Sequence, residues 1–452
     1  MKIFFNTLGC SKNTVDSENA AALLEENGHV IVDSPEEAGA IIVNTCGFIN
    51  DAKEESIDTI LEMAEYREKG TVLIAAGCLT QRYARDLYEE IPEIDILLGV
   101  NEYLRLPEIL KEYQEQKKRV SVIGSAAKDY CEIPVRRPEP GAYYSYLKIS
   151  EGCDKVCSYC IIPSIRGHYR SRKMEDIVRE AEFLASKGCT ELILIAQDVT
   201  AYGIDLYGDL ILPQLLRKLC GVEGIRWIRL LYCYEDEITE ELIETIRSEE
   251  KICNYLDIPL QHVSDSVLSD MNRHSTSQSI RETIQRLRAE IPDIHIRTTF
   301  IAGFPGESEE DFEELADFVE TVKFDRMGVF AYSQEENTLA AEMKHQIGEE
   351  TKIHRRDTLM EIQREISLKN NLAKVGGVFE VIVDEREEGD TYLGRTRFDA
   401  PEIDNGVIFT SERELIPGEY VYVEITDAFD YDLSGRETEA PKQDGDHRPE
   451  VV

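Results

Sequence analysis

The sequence predicts an α/β protein in three consecutive parts: an N-terminal parallel-sheet α/β domain, a central βα barrel and a small C-terminal β-barrel. Apolar runs alternate with helical patterns over residues 1–120 and again from Tyr143, which is typical of parallel sheets covered by helices. After Gly377 the helical patterns stop, and short apolar runs separated by Gly and Pro predict a small β-barrel. At 452 residues the chain is long enough for about two to four domains.

In the first domain, apolar runs predict parallel strands, and polar, periodic stretches predict the helices between them. The strands are expected at residues 3–5, 40–43, 72–75 and 94–98, and the helices include 15–26 and 53–66. Residues 121–142 change character and contain the Pro/Gly cluster Arg136-Arg-Pro-Glu-Pro-Gly141, so they predict a linker. The first domain is therefore assigned to residues 1–120.

The central domain is assigned to residues 143–372, because six βα units over about 200 residues fit a partial or complete βα barrel. Its strands are expected at residues 143–150, 190–196, 225–232, 255–260, 295–302 and 326–333. Its helices include 174–187, 238–248, 277–290 and 308–322, followed by a long polar helix over 349–372. The C-terminal barrel, residues 373–437, has expected strands at 378–384, 391–397, 407–410 and 420–428, and an acidic tail over 438–452 is expected to be disordered.

The composition restricts the partners and the compartment. The chain has 89 acidic and 50 basic residues, a net charge of −39, so most of its surface would repel a phosphate backbone. A basic protein partner suits this charge, although solubility alone explains it equally well. The 11 cysteines without a secretory signal predict a reducing cytoplasm, and no run approaches the ~20 apolar residues of a membrane span.

Three cysteines, Cys153, Cys157 and Cys160, follow the first strand of the central domain with the spacing CxxxCxxC. Three thiolates this close can hold three corners of a 4Fe–4S cluster and leave its fourth iron open. An open iron is what reductive cleavage of S-adenosylmethionine requires, and zinc sites use paired CxxC units and a fourth ligand instead. Tyr159, inside the same loop, is expected to pack against the cluster or the adenine, with simple loop packing as the alternative.

Cys10, Cys46 and Cys78 each follow a predicted parallel strand of the first domain, and each has a glycine neighbour. The carboxyl ends of parallel strands meet at the edge where open α/β sheets bind ligands, and glycine permits close approach to a bulky group. We therefore predict a second three-thiolate cluster, with three separately buried thiols as the alternative. The remaining cysteines are expected to be packing residues: Cys131, Cys189, Cys220, Cys233 and Cys253.

Other polar or glycine-rich strand ends are candidate binding residues. Gln197 could hydrogen-bond S-adenosylmethionine, and the Gly303-Phe-Pro-Gly306-Glu307 run could present backbone amides to its amino-acid moiety. The same run could be only a turn before a helix capped by Ser308. Gln261 and His262 close another strand and are expected to point toward the barrel mouth as substrate contacts, although a lone histidine is usually structural.

These motifs together resemble the radical S-adenosylmethionine (radical-SAM) methylthiotransferases. The N-terminal motifs are LGCSKNTVDSE (8–18), NTCGF (44–48) and AGCL (76–79). The central motifs are EGCDKVCSYC (151–160), AQDVTAYG (196–203), PLQH (259–262) and TFIAGFPGE (299–307). The C-terminal barrel resembles their TRAM domain, so the resemblance extends to about residue 437.

One branch of this family modifies tRNA adenosines, and another modifies an aspartate of the small-subunit ribosomal protein S-twelve. The chain resembles the second branch in YLDIPLQH (255–262), WIRLLY (227–232) and GRTRFDAPEID (394–404). The charge agrees, because residues 371–452 hold 21 acidic and 8 basic residues, whereas an RNA-binding barrel is expected to be basic. Ser11 stands where this branch often has proline, and the tail beyond residue 437 lies outside the family pattern.

The resemblance implies two 4Fe–4S clusters, S-adenosylmethionine as substrate and methyl donor, and an electron donor such as flavodoxin or ferredoxin. It implies a 5′-deoxyadenosyl radical that takes a hydrogen atom from the β-carbon of the target aspartate, and sulfur insertion at the second cluster. The expected partner is the S-twelve protein on the ribosome. Nucleic-acid contact is expected only through the ribosome, and no membrane contact is expected. A tRNA methylthiotransferase and a non-catalytic Fe–S or zinc-stabilised ribosome-binding module remain as alternatives.

Overall fold

A computed structural model describes residues 1–125 and 132–441 of the chain. The N-terminal sheet contains β1 (Lys2–Thr7), β2 (Val30–Val32), β3 (Ala40–Thr45), β4 (Val72–Gly77), β5 (Ile96–Leu98) and β6 (Val120–Val122). Its helices are α1 (Ser11–Glu26), α2 (Asn50–Ala64), α3 (Cys78–Glu90) and α4 (Leu106–Gln116). The strands are all parallel in the order β2-β1-β3-β4-β5-β6, so the predicted parallel-sheet α/β domain is confirmed.

The two central strands explain why this sheet is stable and where it ends. Every residue of β3 and β4 is buried, with Ile42 and Ile74 facing one helical layer and Ile41 and Leu73 facing the other. A continuous apolar run is expected for a strand that is covered on both faces. β2 and β6 were not predicted, because each is only three residues long and lies at a sheet edge.

The predicted linker is tied to both domains in the part that the structure describes. β6 carries the N-terminal sheet to Val122, two residues past the predicted boundary. Arg136 is buried and pairs with Glu18 of α1 at 2.5 Å and with Glu180 of the central domain at 2.6 Å. Residues 132–141 therefore hold the two domains together. The predicted packing residue Cys131 lies outside the described residues.

The central domain contains six parallel strands with helices on one face, and a separate antiparallel pair of two-residue strands. Its strands are β7 (Tyr144–Lys148), β8 (Ser150–Glu151), β9 (Arg170–Ser171), β10 (Glu191–Ile195), β11 (Trp227–Leu230), β12 (Ile252–Asp257), β13 (His295–Ala302) and β14 (Arg326–Ala331). Its helices are α5 (Ile162–Arg166), α6 (Met174–Ser186), α7 (Leu212–Cys220), α8 (Glu240–Ser248), α9 (Asp265–Asp270), α10 (Ser277–Glu290), α11 (Glu309–Val322) and α12 (Glu349–Leu372). Short 3₁₀ turns occur at Pro35–Glu37, Glu65–Lys69, Tyr103–Arg105, Glu235–Glu237 and Ala340–Glu342.

Six of these strands form an open sheet in the order β14-β13-β12-β11-β10-β7, so the barrel is partial. Leu192 and Leu194 of β10 face the helices, where they join the largest buried cluster. Ile193 and Ile195 point to the opposite, inner face, as the two-residue period of a strand requires. Cys189 and Cys233 are buried in the helical layer, Cys253 is buried on the inner face and Cys220 is partly buried, which matches the packing roles predicted for them.

The C-terminal domain is a closed five-stranded barrel in the order β15-β16-β17-β19-β18. Its strands are β15 (Val378–Arg386), β16 (Thr391–Thr396), β17 (Val407–Thr410), β18 (Tyr420–Ala428) and β19 (Leu433–Thr438). β19 was not predicted, because only Leu433 is a large apolar residue in its sequence. Residues 442–452 of the predicted tail lie outside the described residues, and no helix within the described ranges is long and apolar enough to cross a membrane.

The N-terminal domain and the C-terminal barrel both pack against the inner face of the partial barrel. Val15 of α1 and Ile382 of β15 join Ile193 and Tyr255 in one buried cluster. The Tyr255 hydroxyl also donates to Asp404 in the C-terminal domain at 2.6 Å. The three domains thus share a core, which fixes the N-terminal sheet edge against the rim of the central domain.

Candidate iron–sulfur active site

The CxxxCxxC cysteines lie on one short loop between β8 and α5, at the carboxyl end of the first central strand. The Cys153 N–H donates to the Gly167 carbonyl at 3.1 Å, and the Cys160 N–H donates to the Cys157 carbonyl at 3.0 Å. Gly152 begins the loop at φ 81°, and a Cβ there would lie 2.0 Å from the His168 carbonyl oxygen. The backbone therefore holds the three thiols, referred to below as the loop triad, in one tight turn.

Residues after α9 close over the loop triad. The Ser158 N–H donates to the Met271 carbonyl at 2.9 Å, and Asn272 donates to the Val156 carbonyl at 2.8 Å. The Tyr234 hydroxyl lies 3.8 Å from the Cys157 sulfur. Tyr159 is partly buried and packs with the apolar cluster that contains Phe304. Its predicted contact with a cluster or with adenine stays a prediction, since loop packing accounts for this position.

Cys10, Cys46 and Cys78 are brought together at one edge of the N-terminal sheet, as the strand ends predict. Cys10 precedes α1, Cys46 follows β3 and Cys78 begins α3. A Cβ on Gly9 would lie 2.8 Å from the Cys46 Cβ, and one on Gly47 would lie 3.0 Å from the Cys78 carbonyl carbon. Two glycines therefore allow three chain segments to converge, and we call these cysteines the sheet triad.

Burial acts against ionisation of the thiols in both triads. It raises the pKa of Cys153 and of Cys160 to about 12 each. It also raises the pKa of Cys78 to about 12, although the nearby Arg166 guanidinium partly offsets this. A bound iron ion deprotonates a coordinating thiol outright, so these buried thiols become good ligands only when metal supplies positive charge.

The donor set of each triad, three thiols, matches a 4Fe–4S cluster with one open iron. Among the described residues, no three Cys, His, Asp or Glu side chains converge closely enough to hold one ion. Structural zinc needs its four ligand atoms at about 2.0–2.3 Å from one point. In a 4Fe–4S cube each thiolate binds a different iron, so the sulfurs stay farther apart. Each triad supplies three such ligands.

A buried charge network links the sheet triad to Glu151 and Arg166, which flank the loop triad in the chain. Arg166, on α5, donates to the Cys78 sulfur at 3.4 Å and to Asn13 at 2.8 Å. It pairs with Asp16 and with Glu151, each at 3.0 Å. Burial of Glu151 opposes its ionisation, but Arg166 and Lys148 more than offset this effect and lower its pKa. Sequence reasoning missed Arg166; six residues separate it from Cys160, and no strand or helix pattern marks it.

Gln197 lies beside this network at the end of β10. Its Nε2 donates to Glu151 at 3.1 Å, whereas its Oε1 is buried and has no hydrogen-bond partner among residues 1–125 and 132–441. A buried acceptor without a donor is costly, so a ligand with an N–H or ammonium group would satisfy it. This unpaired acceptor is compatible with the predicted contact between Gln197 and S-adenosylmethionine, which stays a prediction.

The Gly303–Glu307 run is held by hydrogen bonds and an ion pair within the protein. The Gly303 N–H donates to the Glu307 carboxylate at 2.8 Å, and the Gly306 N–H donates to the His345 carbonyl at 3.1 Å. Glu307 in turn pairs with Arg355 of α12 at 2.7 Å. These bonds fix the conformation of the run, and the contact of Gly303, Gly306 and Glu307 with S-adenosylmethionine stays a prediction.

His262 lies beside Glu307 at the end of a central strand, and its role as a substrate contact stays a prediction. Its side chain is wholly buried, its Nδ1 accepts the Ser264 N–H at 3.0 Å, and its Nε2 lies 3.7 Å from Glu307. Burial lowers its pKa to about 4, so the ring is neutral at pH 7. Gln261, at φ 69°, is partly exposed and stays a predicted substrate contact.

A three-thiol loop at the carboxyl rim of a βα sheet, with a second three-thiol site beside it, defines an iron–sulfur enzyme of the radical-SAM class. Three family models match the chain in order: uncharacterized protein family UPF0004 over residues 2–99, the Radical SAM superfamily over 147–319 and the TRAM domain over 375–437. The chain belongs to the family of ribosomal protein uS12 methylthiotransferases.

Relatives with that name match over nearly their whole length. A protein of Lachnoclostridium phytofermentans, named ribosomal protein uS12 methylthiotransferase RimO, is 50% identical over 96% of this chain and 99% of its own. One from a Thermoanaerobacter species is 51% identical over 95% of this chain and 98% of its own. Another from Clostridioides difficile is 49% identical over 96% and 98%.

Solved structures share the fold at low sequence identity. The radical S-adenosylmethionine methyltransferase TsrM from Kitasatospora setae has a TM-score of 0.55 at 14% identity, covering 73% of this chain and 72% of that one. The cobalamin-dependent S-adenosylmethionine radical enzyme OxsB has a TM-score of 0.52 at 14% identity, covering 80% and 56%. Both enzymes therefore support the arrangement of the α/β domains and nothing about this chain's substrate.

Proposed function

We propose that this chain attaches a methylthio group to the β-carbon of an aspartate in ribosomal protein uS12. The observation that carries the proposal is the pair of three-thiol sites, with Arg166 bonded both to a sheet-triad sulfur and to Glu151, two residues before the loop triad. Methylthio transfer needs both radical generation and a place for sulfur, and a single cluster site would serve only the first. The names of the relatives support uS12 as the acceptor.

The loop triad, Cys153, Cys157 and Cys160, would hold one 4Fe–4S cluster, and the sheet triad, Cys10, Cys46 and Cys78, would hold the other. When bound, the two clusters supply the electron that cleaves S-adenosylmethionine and an iron site for the sulfur that is inserted. The chain positions and shields these groups. Gly152 and Gly47 let the segments that carry the ligands pack closely against neighbouring backbone, and Met271 and Asn272 hydrogen-bond to the loop that carries the loop triad.

Two residues are proposed to orient S-adenosylmethionine. Gln197 offers the buried Oε1 that has no partner within the described ranges, while its Nε2 is fixed by Glu151. Tyr159 offers an aromatic face within the loop that carries the cluster ligands. Gln261, half exposed at the end of a central strand, is proposed to contact the protein substrate.

The acidic C-terminal barrel supports a protein rather than a tRNA substrate. Exposed acidic side chains on it include Glu385, Glu387, Glu388, Glu412 and Glu414. Such a surface repels RNA and attracts a basic protein, and most ribosomal proteins are basic. We place the reaction in the cytoplasm, on or near the ribosome, with an electron donor such as flavodoxin or ferredoxin. The domain division into 1–120, 143–372 and 373–437 likewise stays a proposal.

The test offers both substrates to one preparation. Anaerobically reconstituted enzyme receives S-adenosylmethionine, sulfide and a reductant together with small ribosomal subunits and bulk tRNA, and both are searched by mass spectrometry for one added methylthio group. A methylthio-aspartate in uS12 is the expected product. A methylthio-adenosine would overturn the choice of substrate, and zinc in place of about eight iron atoms per chain would overturn the enzymatic proposal.

A further inference from the structure

Lys12 is a buried lysine without an anionic partner in the part of the chain that the structure describes. Three lysines there are buried: Lys12, Lys148 and Lys352. Lys148 pairs with Asp16 and Glu151, and Lys352 pairs with Glu349 at 3.2 Å. The Lys12 ammonium instead lies 2.9 Å from the centre of the Tyr232 ring, and it makes no ion pair or hydrogen bond within residues 1–125 and 132–441. In a chain of net charge −39, this exception requires a reason.

Lys12 and its contact residue Tyr232 each lie near one of the two triads in the chain. Lys12 is two residues from Cys10 of the sheet triad, in the first turn of α1. Tyr232, at the carboxyl end of β11, is two residues from Tyr234, whose hydroxyl is 3.8 Å from the Cys157 sulfur of the loop triad. Contact between Lys12 and Tyr232 therefore places a positive charge within a few residues of both cysteine sites.

The Tyr232 ring is held under the ammonium by a strained backbone. Tyr232 has φ 61°, in the left-handed region that a bulky residue adopts only at a cost. Its N–H donates to Asp257 at 3.0 Å, and its carbonyl accepts the Val199 N–H at 3.0 Å. These two hydrogen bonds hold the ring in place. Strain kept at a strand end beside a catalytic site indicates a function for the group that it positions.

We propose that Lys12 is the residue that binds the side-chain carboxylate of the substrate aspartate. This inference rests on the proposed function and names the group that recognises its substrate. The carboxylate is bonded directly to the β-carbon that is modified, so fixing it beside Lys12 fixes that carbon between the two triads. The aromatic ring stabilises the ammonium while no substrate is present. An adenine has no carboxylate to pair with this ammonium, so Lys12 gives a tRNA base no such contact.

The experiment measures coupling between Lys12 and the substrate carboxylate. Reconstituted holoenzyme, as wild type, Lys12→Met or Lys12→Arg, is titrated with uS12 carrying either the modified aspartate or asparagine in its place, and Kd is measured. The wild type should bind the aspartate form on the order of 10- to 100-fold more tightly, as expected for a charge-assisted hydrogen bond. Lys12→Met should bind both forms equally, and Lys12→Arg should keep part of the preference.

A matched control and the iron content exclude indirect effects. Lys187, an exposed lysine 5.4 Å from the Phe183 ring, has the same kind of contact away from both triads, so Lys187→Met should keep the wild-type preference. A loss of preference in that variant, an unchanged preference in Lys12→Met, or reduced iron in Lys12→Met would overturn the inference. The last result would assign Lys12 to cluster assembly. Wild-type enzyme that modifies no uS12 would overturn the proposed function itself.

Discussion

The loop triad and the sheet triad contain the same three ligands and are built in opposite ways. The loop triad lies within eight residues of chain, from Cys153 to Cys160, and its geometry is set by local hydrogen bonds. The sheet triad gathers Cys10, Cys46 and Cys78 from three strand ends. One site depends on a turn and the other on a folded sheet.

This difference in construction determines which perturbations each site can tolerate. Closing a short loop costs little entropy, whereas bringing together segments that are tens of residues apart depends on the packing of the whole sheet. The sheet triad should therefore be lost when β3 or β4 is disturbed, even if the central domain stays folded. The loop triad should be lost only when its own turn or the 270–273 segment moves.

The largest expected effect separates the chemistry of the two sites. Cys157→Ala removes a loop-triad ligand and should abolish cleavage of S-adenosylmethionine. Cys46→Ala removes a sheet-triad ligand and should leave that cleavage while abolishing methylthio product. Each variant should lose about four of the eight irons expected for two clusters. Production of 5′-deoxyadenosine and of methylthio-aspartate, measured by mass spectrometry, distinguishes the two losses.

Cys253→Ala is the matched control, since this thiol is buried on the inner face of the central sheet, away from both triads. It should retain full iron content and both products, apart from a modest loss of stability. Methylthio product from the Cys46→Ala enzyme would show that the two-cluster assignment is wrong.

A pair of glycine substitutions tests the two constructions without touching a ligand. Gly152→Ala would bring a Cβ to 2.0 Å from the His168 carbonyl oxygen at φ 81°, and should disrupt the loop triad. Gly47→Ala would bring a Cβ to 2.7 Å from the Leu79 Cα, and should separate the segments of the sheet triad. Overpacking against backbone costs about 1–3 kcal/mol or more, so each variant should lose mainly its own cluster.

Iron analysis and electron paramagnetic resonance of each reduced variant show which cluster remains. Gly328→Ala, in β14, is the control, because a Cβ there meets no atom within 4 Å. Equal loss of both clusters from Gly47→Ala would mean that the sheet triad is not independent of the central domain, which would break the comparison.

Sequence alone predicted the ligands of both triads but not their surroundings. The convergence of Cys10, Cys46 and Cys78 followed from strand direction, because parallel strands end at one edge. The orientation of the Glu307 side chain could not be predicted in the same way. It depends on the ion pair with Arg355, which the fold brings close from α12. His262 shows the same limit: the sequence places it at the end of a strand, whereas packing beside Glu307 decides its burial.

The fold shows the same division between local and distant causes. Long apolar or periodic stretches such as α12 were predicted with their observed bounds, Glu349–Leu372. The short strands β2, β6 and β19 were missed, since each is stabilised by pairing with a neighbouring strand rather than by its own pattern. Arg166 and Lys12 were missed for a similar reason, because each has a partner in another domain: Cys78 for Arg166 and Tyr232 for Lys12.

Arg166 provides the finest test of the comparison, because it lies on the loop-triad side and contacts a sheet-triad sulfur. Arg166→Gln removes the donor 3.4 Å from the Cys78 sulfur and leaves Asp16 and Glu151 with Lys148 as their remaining cation in this network. Breaking a buried ion pair costs about 3–5 kcal/mol, so the midpoint of chemical unfolding should fall. Hydrogen bonds to cluster sulfurs favour the reduced form, so the potential of the sheet-triad cluster should drop by tens of millivolts, on the order expected from a lost hydrogen bond.

A redox titration followed by electron paramagnetic resonance measures both clusters in one sample. The potential of the loop-triad cluster should stay constant, since Arg166 makes no hydrogen bond to any of its three sulfurs within residues 1–125 and 132–441. Arg179→Gln, which removes an exposed pair with Asp176, should change neither potential and alter stability by less than about 0.5 kcal/mol. A shift confined to the loop-triad cluster would contradict the assignment of Arg166 to the sheet triad, because the charge of Arg166 would then act on the loop-triad cluster instead.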